Sequence, residues 1–288
     1  MRSPHCTIAF AFAALLATGT AQAGSRPIVV ELYTSQGCSS CPPADILLGK
    51  LAQRPGVIAI SLPITYWDML GWKDSLASEA NTRRQKAYAA AMGHGGVYTP
   101  QIVVDGVTDV VGSRVAAVEA AIAERRADLA QSATAVAQAD AARAHAADAE
   151  RLADTAHMSS PVPVMLAMPP PQIDPIVPVS LHETPQEIHI LIGAAPGEIG
   201  ATVWMFHLRS AVSVTIPSGE NAGHTIVYHN VSDDPRPVAV YKGRAMSLTL
   251  PKSNGVSNDG VAVIVQQGGY GHVLGAAMLS RPDTYAAQ

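Results

Sequence analysis

Between residues 27 and 129 the apolar positions of the chain change period several times. The run "IVVELYT" (28–34) is rich in β-branched residues, and "VIAISLPI" (57–64) is a second such run; both read as buried strands. Between them, "PPADILLGKLAQ" spaces Ile46, Leu47, Leu48 and Leu51 as on a helix, behind two prolines that a first helical turn tolerates. Pro55-Gly56 ends that helix. The segment "YWDMLGWKDSLASEANTRRQKAYAAAM" reads as a loop leading into a second helix, stopped by "GHGG". "PQIVVDGVTDVVG" reads as a hairpin with Asp105-Gly106 at its turn, and "RVAAVEAAIAERRADL" as a closing helix. The predicted order is β-α-β-α-β-β-α.

Beyond Ala130 the pattern changes. Residues up to His157 are alanine-rich without a strong apolar stripe, which suits a helical or partly ordered connector. "SSPVPVMLAMPPPQIDPIVP" carries prolines too densely for a helix and reads as an extended linker. From Val177 to Leu279 short alternating runs recur between turns such as Pro196-Gly197, Ser218-Gly219 and Asn258-Asp259-Gly260. The expected fold is therefore an α/β domain over residues 24–130, a linker over 131–176, and an antiparallel β-sandwich-like domain over 177–288.

Composition narrows the classes. The 288 residues carry a formal net charge of −4, with no basic stripe for nucleic acid and no block of like charge. The chain opens with Arg2, the apolar run "IAFAFAALLA" (8–17) and a small-x-small end at Ala21-Gln22-Ala23, the layout of a signal peptide cut after Ala23. The run is too short for a permanent membrane helix, and no later segment is long and apolar enough, so the mature protein is expected to be periplasmic or secreted without stable membrane insertion. Cleavage would remove Cys6 and leave two cysteines, Cys38 and Cys41, in a compartment that permits disulfides. So sparse a pair is no stapled scaffold.

The stretch "YTSQGCSSCPPAD" (33–45) places those cysteines where the first strand ends and the first helix begins. Unpaired helix N–H groups and the helix dipole favour negative charge there, which lowers a thiol's pKa and makes it a better nucleophile. Cys38, nearer the loop, is expected to be the more exposed and to attack; Cys41, one turn in, would resolve the mixed disulfide. Thr99-Pro100 opens the third strand, where a proline is otherwise hard to place, and a cis bond there would turn the backbone toward the cysteines. An inert disulfide remains a second reading of the pair. A structural zinc site is disfavoured, since it needs about four ligands; His94 in "GHGG" is the one nearby imidazole. Glu31, inside the first strand, is a possible buried proton acceptor. Tyr66, Trp67, Asp68, Trp72 and Lys73 form an amphipathic cluster, of which Tyr66 and Trp67 offer apolar area to a bound polypeptide. "SGENAG" (218–223) reads as a hairpin turn, with Asn221 suited to positive φ.

Residues 28–129 resemble a thioredoxin fold of the compact, glutaredoxin-like kind, on the strand–CxxC–helix unit and "TPQIVVDG" before a hairpin. More closely, "VVELYTSQGCSSCPPAD", "YWDMLGWKD", "RQKAY", "VYTPQIVVDG" and "SGENAGHTIVYHNV", in that order, resemble a family of secreted bacterial proteins of unknown function, the domain of unknown function numbered twelve twenty-three. The resemblance to thioredoxins implies Cys38 as nucleophile, Cys41 as resolver, Pro100 as the cis-proline beside the substrate and Thr99 as a backbone contact for it. Gly37 stands where many thioredoxins have tryptophan, and Thr65 and Pro63 stand where family members often carry Asp and His. The leading expectation is thiol–disulfide exchange with protein or small-molecule thiols, without a dissociable cofactor. The alternatives are an envelope binding module with a structural disulfide, and Cu(I) handling by the thiolates.

Overall fold

A computed structural model describes residues 26–155, 175–232, 234–252 and 259–280. The expected signal peptide (1–23) and most of the proline-rich segment lie outside the described residues. The first half runs β1 (Ile28–Thr34), α1 (Pro42–Ala52), β2 (Val57–Pro63), α2 (Glu79–Ala91), β3 (Gln101–Val104), β4 (Thr108–Val111) and α3 (Val115–Thr155). β1 lies parallel to β2 and antiparallel to β3, which pairs antiparallel with β4. In the three-residue connection between β3 and β4, Asp105 and Gly106 both take positive φ and Val107 N donates back to the Val104 carbonyl (3.0 Å). α3 continues without a break through the alanine-rich stretch to Thr155.

The second half adds β5 (Val179–Glu183), β6 (Glu187–Ile192), β7 (Ala201–Thr215), β8 (Thr225–Val231), β9 (Arg236–Tyr241), β10 (Met246–Pro251), β11 (Gly260–Gln267) and β12 (Val273–Ser280). It does not stand apart as the sequence suggests. β12-β11-β7-β8 continue directly into β2-β1-β3-β4 as one mixed sheet, through the bridge Ser61–Val231, while β9 pairs with β7. β10-β6-β5 form a separate antiparallel sheet. Short apolar runs mark β6 to β12 in the sequence but carry no information on which sheet a strand joins, and β5 has no such mark.

Both faces of β1 and β2 are covered. Ile28, Val30, Leu32, Val57 and Ala59 pack against α1 and α3. Val29, Tyr33, Ile58, Ile60 and Leu62 pack against Tyr88 of α2 and against Trp204, Phe206, Ala262 and Ile264 of β7 and β11. The opposite face of β7 and β11, with Val203, Met205, Val263 and Val265, packs on Ile188 and Ile190 of the small sheet. The two-residue period of a strand therefore serves three layers at once.

Candidate functional site

Cys38 and Cys41 form a disulfide in the turn between β1 and α1, with Cα atoms 5.4 Å apart. Cys41 is the N-cap of α1, and its carbonyl accepts from Ala44 N (2.8 Å) and Asp45 N (3.2 Å). Pro42 and Pro43, which have no N–H to leave unpaired, fill the first turn. Exposure does not rank the two sulfurs: Cys38 is 1% exposed and Cys41 0%. What separates them is position, because Cys41 is held in the helix start while Cys38 precedes it and neighbours the exposed Ser39 and Ser40.

The loop ahead of Cys38 is fixed from two directions. Gln36 is buried; its N–H donates to Asp74 (2.8 Å), and its side-chain oxygen accepts from Trp72 Nε1 (2.8 Å). Gly37 lies close to Trp67: a Cβ there would be 3.3 Å from Trp67 Cβ, a tight approach that a larger residue would crowd. Trp67 Nε1 in turn donates to Thr99 Oγ1 (2.8 Å), and the Thr99–Pro100 peptide is cis. The disulfide turn, Trp67 and the Thr99-Pro100 step are thus contiguous. Tyr66 is half-buried beside them, and burial raises its hydroxyl's pKa.

From the other side comes "SGENAG", the turn between β7 and β8. Asn221 Nδ2 donates to the carbonyls of Gln36 and Cys38, both at 2.9 Å. Ser39 N donates to Glu220 Oε2 (3.1 Å), and Ser218 Oγ donates to the carbonyl of Gly71 (2.9 Å). Asn221 has no positive φ; Gly219 and Gly223 take that role, and the asparagine is present for its side-chain amide.

Glu31 lies elsewhere. Strand alternation places it with Val29 and Tyr33 on the sheet face opposite α1. There Arg84 Nε and Nη2 donate to its two oxygens, each at 2.8 Å, and Tyr88 and Tyr33 hydroxyls donate at 3.0 and 3.2 Å. Arg84 also donates to Gln266 and sits over the rings of Trp204, Tyr88 and Phe206. A carboxylate so fully paired is a structural anion and is not placed to serve the cysteines.

The buried carboxyl on the helix that Cys41 caps is Asp45. It lies one turn beyond Cys41 on α1, 2% exposed, with neither oxygen in a hydrogen bond. Burial holds its pKa well above the usual carboxylate range; Thr34 pulls it down without reaching hydrogen-bond geometry, and Asp74 raises it further. Asp74 is raised by burial too, against the N–H groups of Gln36 and Leu76 that lower it. The Tyr228 hydroxyl is also buried without a partner, and burial and both carboxyls push its pKa upward. The sequence marks Asp45 only as an acid in a first helical turn, where solvated acids are common.

His94 is engaged with Asp109, 2.8 Å away, beside Tyr98. Among the described residues no group of three or more His, Cys, Asp or Glu side chains is arranged to hold a metal.

A family model described as "Protein of unknown function (DUF1223)" matches residues 29–174 and 164–266. The chain belongs to this family. A crystal structure of protein AGR_C_4864 from Agrobacterium tumefaciens is 31% identical over 91% of this chain and 97% of its own, with a TM-score of 0.64. HBP35 of Porphyromonas gingivalis is 11% identical over 92% of this chain and 79% of its own, with a TM-score of 0.53, a likeness of fold alone. No curated protein matches the chain. The family match takes in both the disulfide turn and "SGENAG".

Proposed function

We propose that this DUF1223 protein is a thioredoxin-like thiol–disulfide exchange protein of an oxidising compartment, reached through the N-terminal leader. The observation that carries the reading is the Cys38–Cys41 disulfide at the N-terminus of α1, contiguous through Trp67 with the cis Thr99–Pro100 step. The strand order β2-β1-β3-β4 supports it.

In the reduced protein the Cys38 thiolate, favoured by the helix N-terminus, attacks a substrate disulfide. A Cys38–substrate disulfide forms and one substrate sulfur leaves as thiolate. Cys41 loses its proton, attacks Cys38 Sγ and releases the second substrate thiolate. Two electrons pass to the substrate and the Cys38–Cys41 bond closes; an external disulfide or dithiol runs the cycle in either direction. Asp45, one turn beyond Cys41 on the same helix, buried and without a hydrogen bond to either oxygen, is the group we assign to take up the Cys41 proton. Thr99 and Pro100 would receive the substrate backbone. Tyr66, Trp67 and the nearby Met69, 83% exposed, offer apolar area to a polypeptide.

The burial of both sulfurs favours a second reading, a structural disulfide in a binding module. Equilibration of the full-length protein with glutathione, followed by thiol trapping, separates the two. A potential above about −300 mV supports exchange; a lower one, with slow reduction, supports the structural bridge.

A further inference from the structure

The sulfurs of an exchange site must be reached by another sulfur, yet both are sealed. A segment about 180 residues away in sequence lies against this turn, and its contacts fall on the main chain around the cysteines. Asn221 binds the carbonyls of Gln36 and Cys38, and Glu220 accepts from the N–H of Ser39, between the two cysteines. Gly219, at φ +85°, rests on Trp72, where an added Cβ would be 3.2 Å from Trp72 Cβ. Ser218 fastens the same turn to Gly71. On its outer flank, Ser39, Pro42, Ile46, Asn221 and Thr225 border an open groove of about 740 Å³, so the tip has free space beside it.

We propose that residues 218–223 are a cover over the disulfide, and that thiols reach Cys38 only when this turn lifts. The proposal rests on the exchange reading for its biological meaning, though not for its test. The amide of Asn221 is the latch, because it alone joins the cover to both sides of Cys38. Glu220 is a weaker, solvent-facing hold. The cover selects by size and approach: a partner that displaces the turn gains the disulfide, and a small thiol waits for spontaneous opening.

The test is the rate at which dithiothreitol reduces the full-length protein, followed by acid quench and thiol counting. One thiolate of the reagent attacks Cys38 Sγ, Cys41 leaves as thiolate, and the second reagent thiol displaces Cys38 to close the cyclic disulfide. Two cysteine thiols appear per reagent oxidised. Asn221→Ala removes two hydrogen bonds and is expected to speed reduction about tenfold. Gly219→Ala, strained and pressed against Trp72, and Glu220→Ala are expected to speed it about threefold. Should Asn221→Ala lower the folded yield, the other two decide. A rise in the folded variants, with far-UV circular dichroism unchanged, supports the cover; wild-type rates in all of them overturn it. The glutathione potential is read on the same samples. Faster reduction at a potential below about −300 mV keeps the cover and sinks exchange, whereas an unchanged rate at a higher potential does the reverse.

Discussion

Two carboxyls sit on opposite faces of the same sheet, and their surroundings differ in kind. Glu31 meets a guanidinium and two phenols, and the same guanidinium also donates to Gln266. Asp45 has no hydrogen bond to either oxygen, and the neighbouring hydroxyls of Thr34 and Tyr228 are also buried without partners. Burial without partners costs free energy, and a fold keeps such a group where something else is gained. The paired region joins the two halves of the chain; the unpaired one lies in the first turn of the helix that Cys41 caps.

That contrast can be broken by substitution. The largest effect is expected from Glu31→Ala, which leaves Arg84 buried and uncompensated; urea unfolding should show a loss of about 3–5 kcal/mol, with the disulfide potential little changed. Asp45→Asn should act mainly on pH dependence. The folded carboxyl holds its proton more tightly than the unfolded one, so above about pH 4 the native state binds more protons and stability falls as pH rises. The variant should lose that slope, up to about 1.4 kcal/mol per pH unit, and should flatten the pH profile of disulfide closure. A wild-type slope in Asp45→Asn would remove it from the proposed proton step. Trp67→Phe deletes the bond to Thr99 and should cost about 1 kcal/mol in unfolding experiments. Smallest of all, Met69→Ser should stay within about 0.5 kcal/mol of wild type, yet slow exchange with an unfolded polypeptide more than with dithiothreitol.

The first half of the fold is legible because its signals are local. Two strand-like runs, a proline-led helix and an Asp-Gly turn each fix their own geometry within a few residues. The cysteine turn and the cis Thr99–Pro100 step follow from the same local grammar. What escapes is whatever depends on distant partners. Glu31 reads as a possible proton acceptor because its partner Arg84 lies 53 positions away and Gln266 much further. Asn221 reads as a turn former because nothing in "SGENAG" shows that its amide will bind the carbonyl of Cys38. The joining of β8 to β2 rests on one bridge, Ser61–Val231, invisible in either strand's pattern.

β7 spans fifteen residues, pairing with β9 and β11 along its first part and with β8 along the rest. One strand therefore carries Trp204 and Phe206 over Arg84 at one end and leads into the turn above the disulfide at the other. An excised fragment ending at α3 would present Val29, Ile58, Ile60 and Leu62 to water in place of that strand. For cloning, recombination or fusion to a reporter, one sheet joins the half that holds the cysteine turn to the β-rich half, and the two must be carried together.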